Sequence, residues 1–289
     1  MLERMALPLR GLSNAIASFM KGFYRALGGP GRLLEDLLNG TWLGHSLHAV
    51  LVDVVIGGAT VALFLDLLRV LFSVDGLADA TTWIVGLVFL AALGAVTTGL
   101  TDYKDTSPDS AQRDVAGLHG LINLVATVGF GLSLWLRLVD SHDAGFWVLL
   151  VSYVVVSVGS YIGGHVVFKY GYMVNFNAFS RGKRASEFTP VAPVTDVPEN
   201  TPTKVAFGAT AIVLVRRGEV VHALKDTCSH AGGPLSQGTL DGDRIICPWH
   251  FSTFRISDGA VVHGPASSRQ VRYRTRINDG QIELQGPHD

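Results

Sequence analysis

The sequence predicts an α + β multidomain chain, a four-transmembrane-helix bundle followed by a small all-β domain. Three observations carry this. Residues 80–101, 115–136 and 144–168 contain no Asp, Glu, Lys or Arg. Each run is long enough to cross a hydrocarbon core of ~30 Å at ~1.5 Å per helical residue. Charged residues make up 16% of the 289, against roughly 25% in globular domains. Beyond Thr203 the apolar residues fall into short alternating runs separated by turn dipeptides, the period of strands.

Residues 1–44 hold charges that interrupt every apolar run, and no small-residue cleavage site follows an apolar core, so no cleavable signal is expected. The stretch "NAIASFMKGFYRAL" fits an amphipathic helix on the membrane surface or a plain soluble helix. Residues 45–172 supply the spans, the first of them over 47–68 with Asp53 and Asp66 inside it. Basic residues fall mostly on one side: Arg4, Arg10, Lys21, Arg25, Arg32, Lys104, Arg113, Lys169, Arg181, Lys183 and Arg184, against Arg69 and Arg137 on the other. Both termini are therefore expected in the cytoplasm. Residues 173–202, with four prolines between 174 and 202 and the cluster "RGKR", read as a linker. About thirty flexible residues would have a root-mean-square span of ~30 Å. Residues 203–289 form the β domain, through runs such as "TAIVLVRR", "EVVHAL" and "QIELQ". A net charge of −1 carries no nucleic-acid signal.

Within that domain stand Cys228-x-His230, sixteen residues, then Cys247-x-x-His250. Two thiolates and two imidazoles at these spacings suit either one zinc ion or a [2Fe–2S] cluster with mixed ligands, and spacing leaves both open. The flanks are more specific. "CSHAGGPL", "CPWHFSTF" and "DGAVVHGPASSRQVRYR" closely resemble the Rieske ferredoxins and the Rieske domains of ring-hydroxylating oxygenases, over roughly residues 187–287.

The resemblance implies that Cys228 and Cys247 hold one iron and that His230 and His250 hold the outer one. Neutral imidazoles in place of two thiolates raise the potential above that of an all-cysteine cluster, and reduction can couple to their protonation. Gly232, Gly233 and Pro234 would shape the first ligand loop, and Gly264–Ala266 resembles the family's proline loop. Phe251 stands where the family usually has glycine, a large side chain expected to tighten the loop or shield the cluster. Ser252 matches a serine that bonds the cluster in high-potential members, but Phe254 replaces the tyrosine, which should lower the potential. With both cysteines used as ligands, no disulfide joins the loops, in keeping with a reducing cytoplasm. Only His263 and His288 follow His250, so no mononuclear iron site of two histidines and a carboxylate is expected. An electron carrier without a visible substrate site is the expectation.

The membrane part has its own polar residues. His45, His48, His119 and His165 fall at the cytoplasmic ends of the spans, with His48, His119 and His165 each ~6 Å in. Asp53, Asn123 and Tyr161 make a second layer roughly 12–14 Å in. Lipid penalises such groups, so they are expected to turn inward. Gly117, Gly120, Gly159, Gly163 and Gly164 permit close packing. Three readings stay open: haem b with two histidine ligands, a quinone or proton site, or interhelical hydrogen bonds that only hold the bundle.

"TWLGHSLHAVLVDVVIGGATVALFLDLL", "GLTDYKDTS" and "HGLINLVATVGFGLSLWLR" resemble an uncharacterised family of four-helix bacterial membrane domains, over roughly residues 30–172. Members usually open with His-Pro-Leu-His-Pro. Here Ser46 and Ala49 replace the prolines, which leaves the helix free to begin earlier than in the family. Together these imply a carrier anchored in the bacterial inner membrane, with its Rieske domain in the cytoplasm, exchanging single electrons with a redox partner protein or quinone. The alternatives are a tethered redox sensor or the ferredoxin component of a multi-subunit oxygenase.

Overall fold

A computed structural model describes residues 1–179 and 185–288, so the basic residues Arg181, Lys183 and Arg184 lie outside the described residues. The chain divides into two compact units. One comprises Met1–Gly31 and Ser46–Tyr172, the other Arg32–His45 and Met173–Asp289.

The first unit is helical: α1 (Leu2–Ala6), α2 (Arg10–Asn39, its last part in the second unit), α3 (Leu47–Phe72), α4 (Leu77–Tyr103), α5 (Ala111–Leu138) and α6 (His142–Tyr170). Gly28 breaks α2 at φ 60°, ψ −128°, a conformation open to glycine because it lacks Cβ. Helix α3 starts at Leu47, where the apolar run over 47–68 begins. Ser46, at φ −57° and ψ 127°, is still non-helical, so losing the prolines does not extend the helix to Gly44. Ser110 caps α5 by accepting the Arg113 N–H at 3.1 Å, satisfying one of the first-turn donors.

Helices α3 to α6 are each long and apolar enough to cross a membrane. Contacts run α3–α4, α4–α5, α5–α6 and α3–α6, which leaves α3 and α5 on a diagonal. The shared core is built from small and β-branched residues, among them Ala59, Ala62, Val85, Val88, Ala92, Ala126 and Val156, around Phe130 and Leu149. Small side chains let helices approach where no hydrophobic drive operates between them. Asp66 is tolerated in its span because fully buried Arg137 pairs with both its carboxylate oxygens. At the other end Arg10 grips Asp114, with Nε 3.1 Å from Oδ2. Ala6 joins Val115, Ile162 and Val166 in a second small core.

The second unit carries β1 (Ala185–Pro193), β2 (Thr203–Phe207), β3 (Thr210–Arg217), β4 (Val220–Lys225), β5 (Thr239–Asp241), β6 (Arg244–Ile246), β7 (Thr253–Arg255), β8 (Val261–His263), β9 (Arg272–Asn278) and β10 (Gln281–His288). Among the described residues they form sheets ordered β1-β10-β9-β4-β3-β2 and β5-β6-β7-β8. Much of the stretch expected as linker belongs to this unit. In β1, Thr189 stands opposite Leu284 and Ala192 opposite Ile282. The Phe176 N–H donates to Ser229 O at 3.0 Å. Prolines 190 and 193 masked the strand in the sequence, and an edge strand accepts them because one side of it needs no ladder donor.

Candidate metal centre

The two ligand loops close in the same way. In the first, the Cys228 N–H donates to Gly233 O and the Gly232 N–H to Cys228 O, both at 2.9 Å. In the second, the Cys247 N–H donates to Ser252 O at 2.9 Å and the Phe251 N–H to Cys247 O at 3.1 Å. Each loop thus pins its cysteine, with the candidate histidine two or three residues further on. Beneath lie Val213, Leu224, Leu235, Ile245 and Phe254, a dry floor that also buries both cysteines.

The four candidate ligands meet in pairs. A hydrogen bond between the thiols pushes the buried Cys228 up. The same bond, helped by the backbone N–H groups of Trp249 and His250, pulls Cys247 down to about 7. Backbone N–H groups of His230 and Ala231 likewise favour a thiolate at Cys228. The imidazoles of His230 and His250 stand 4.9 Å apart at 87°, the first buried and the second half-buried. A thiol pair beside an imidazole pair is a donor set that fits a two-iron cluster, one pair to each iron.

Glycine clears the space for it. A Cβ on Gly233 would lie 2.8 Å from Cys247 Sγ and 3.0 Å from the Trp249 ring. Gly233→Ala should therefore cut bound iron severalfold without unfolding the sheets, as read by metal analysis beside far-ultraviolet circular dichroism. Full iron content in that variant would show that the loops have slack there.

The departures noted in the sequence take definite form. Phe251 sits at φ 63°, a left-handed position costing a non-glycine residue roughly 1–2 kcal/mol, which accounts for the family's glycine. Its ring is 66% exposed, so it shields little. Ser252 accepts the Ala266 N–H at 3.1 Å, tying the second ligand loop to the proline loop while its own hydrogen stays available to donate.

Two functional supports escaped the sequence reading. Buried Gln270 donates to Lys225 O at 2.5 Å and Thr227 O at 2.6 Å, and accepts from the Ser229 N–H and Asn177 Nδ2 at 3.1 Å each. Asp36, on the last part of α2, accepts from His263 Nδ1 at 2.9 Å and from the Gly264 N–H at 3.0 Å. Asp36→Ala should cost on the order of 1 kcal/mol and speed hydrogen exchange at the Gly264 amide while iron content holds. An unchanged exchange rate would mean the latch carries no load.

The membrane residues separate into those that meet and those that do not. His48 and His119 approach each other, with ring centroids 6.2 Å apart at 83°. His165 instead lies edge-on against Tyr170 at 5.8 Å. His45 is exposed in the turn before α3 and is not on the helix face with His48. The expected second layer is corrected. Asp53 is exposed, because five residues from His48 turn it ~140° away round the helix. Tyr161 is 73% exposed, off the buried α6 stripe of Val156, Gly159, Ile162 and Val166. Of that layer, Asn123 alone makes the expected contact, donating to His119 O at 2.8 Å beside the ring.

Comparison with known proteins bears on both units. Residues 187–275 match the family model described as Rieske [2Fe-2S] domain, and residues 44–175 match that described as predicted membrane protein (DUF2231). Ferredoxin CarAc of Metapseudomonas resinovorans is 33% identical over 27% of this chain and 74% of its own length. The anthranilate 1,2-dioxygenase ferredoxin subunit of Burkholderia cepacia is 30% identical over 34% and 92%. The solved ferredoxin of carbazole 1,9a-dioxygenase from Nocardioides aromaticivorans IC177 is 25% identical with a TM-score of 0.34, covering 35% of this chain and 99% of its own.

Proposed function

This chain belongs to the Rieske [2Fe–2S] family, with a predicted membrane protein (DUF2231) domain ahead of its Rieske domain, and on that premise we propose that it carries single electrons between a soluble redox partner and its membrane domain. The Rieske domain implies a [2Fe–2S] cluster and electron transfer. Cys228 and Cys247 are assigned to one iron, His230 and His250 to the other. When bound, the cluster supplies a site that takes up and releases one electron at a time. The observation that carries this assignment is the pairing of buried thiols with imidazoles 4.9 Å apart on two loops closed alike.

The chain's own groups do the rest. Backbone N–H groups stabilise the thiolate charge. Leu235, Ile245 and Phe254 keep water from the inner side. Half-buried His250 offers a short way out for the electron. The basic-residue count supports placing the domain on the cytoplasmic side of a bacterial inner membrane. A reporter enzyme that works only in the cytoplasm, fused after Asp289, should be active.

A second reading has support in the relatives, which include a dioxygenase ferredoxin subunit: electrons would go to a soluble oxygenase and the helices would serve as anchor alone. The deciding preparation is the whole chain purified in detergent. Iron and acid-labile sulfide in equal amounts, with an electron paramagnetic resonance signal that appears on dithionite reduction, is the expected result. Zinc alone would overturn the assignment. Stoichiometric reoxidation of the reduced cluster by a quinone added to the micelles would favour the first reading over the second.

A further inference from the structure

We propose that His48 and His119 are the two axial ligands of one haem iron inside the helical bundle. They stand on α3 and α5, the diagonal pair, yet their rings come within 6.2 Å at 83°. Each ring is held by a neighbouring helix. His48 Nδ1 lies 2.8 Å from Ala95 O on α4, and His119 Nδ1 lies 2.8 Å from Gly159 O on α6. A carbonyl only accepts, so each Nδ1 carries the hydrogen and each Nε2 is left with its lone pair. That is the state in which a histidine binds a metal, its other nitrogen fixed by a carbonyl.

The spacing fits a shared metal. Bonds of ~2.0–2.1 Å to each imidazole, with about 1.1 Å from ring nitrogen to ring centre, place trans ligands roughly 6.3 Å apart between centroids. No third His, Cys, Asp or Glu joins them among the described residues, and Asp53 faces outward. A metal held by these two rings would bring its remaining ligands with it, as four porphyrin nitrogens do.

Both rings rest on glycine. A Cβ on Gly99 would come within 3.0 Å of His48, and one on Gly163 within 2.7 Å of His119. Asn123 Nδ2 donates to His119 O at 2.8 Å and lies 3.4 Å from His119 Nε2, the lone pair that a bound metal would take over. Such a haem would take up one electron as its iron goes from ferric to ferrous, with no bond made or broken. The choice of a redox metal rests on the proposed carrier function, whereas the ligand geometry stands apart from it.

The test uses the full chain, expressed with added 5-aminolevulinate and purified in detergent. A Soret band that shifts on reduction is expected, at one haem per chain, with a low-spin ferric resonance. His48→Ala and His119→Ala should each lower bound haem at least tenfold while the cluster resonance persists, and His165→Ala should leave haem unchanged. His119→Gly with added imidazole should regain the low-spin signal, which a purely structural histidine would not restore. An intact cluster resonance with no Soret band, even after hemin titration, overturns the haem pair and leaves the carrier assignment standing. A Soret band without a cluster signal does the reverse. Loss of haem in His165→Ala but not in His119→Ala also overturns the pair.

Discussion

Gln270→Leu should strip the chain of its cluster although all four ligands remain. The side chain is a buried junction under the first ligand loop, two bonds given to Lys225 O and Thr227 O and two received from the Ser229 N–H and Asn177 Nδ2. Leucine fills much of the volume but strands Lys225 O and the Ser229 N–H away from water, at about 1–3 kcal/mol apiece, while Asn177 Nδ2 keeps Thr227 O at 3.3 Å. A combined loss of roughly 2–6 kcal/mol is expected, concentrated on the residues flanking Cys228. Gln270→Glu should fare no better, because a carboxylate would set an acceptor against two carbonyls. Iron analysis and the visible spectrum read the outcome, and a Gln270→Leu protein with full iron and an unchanged Tm would show that the loop holds itself.

Arg137→Leu should destabilise the helical unit by roughly 3–5 kcal/mol, the range for removing one partner of a buried ion pair. Arg137 and Asp66 have no exposed side-chain surface, and Ser133 Oγ further accepts from Arg137 Nε at 3.3 Å. Losing the guanidinium leaves Asp66 with Arg69 Nε at 3.6 Å as its nearest cation. The double variant Asp66→Leu/Arg137→Leu should recover most of the loss, since two apolar side chains replace two buried charges at little net cost. Thermal unfolding in detergent tests both. A single variant as stable as the parent would remove the pair from the account of how α3 and α5 are held.

Several features were open to reading along the chain. The spans follow from runs without charge, and the candidate ligands follow from two short boxes around Cys228 and Cys247. Strand β1 was missed because Pro190 and Pro193 look like linker until the strand is known to lie at an edge. The α3 start at Leu47 was legible in the apolar run over 47–68, and losing two prolines permits an earlier helix without requiring one. Phe251 was rightly marked as a departure, but only its φ of 63° explains what glycine does there.

Taken by itself, the sequence determined the two-part architecture and the candidate ligand quartet, since apolar length and ligand spacing are properties of contiguous residues. The tertiary structure decided everything that depends on how a helix is rotated or where a distant segment lands. It turned Asp53 and Tyr161 outward and brought His48 to His119 across a diagonal. It gave Asp66 its Arg137 and set Asp36 on His263, 227 residues away. A rotation of ~100° per residue makes a polar group's direction depend on its partner helices. Contacts across such separations are chosen by packing, and no local pattern records them.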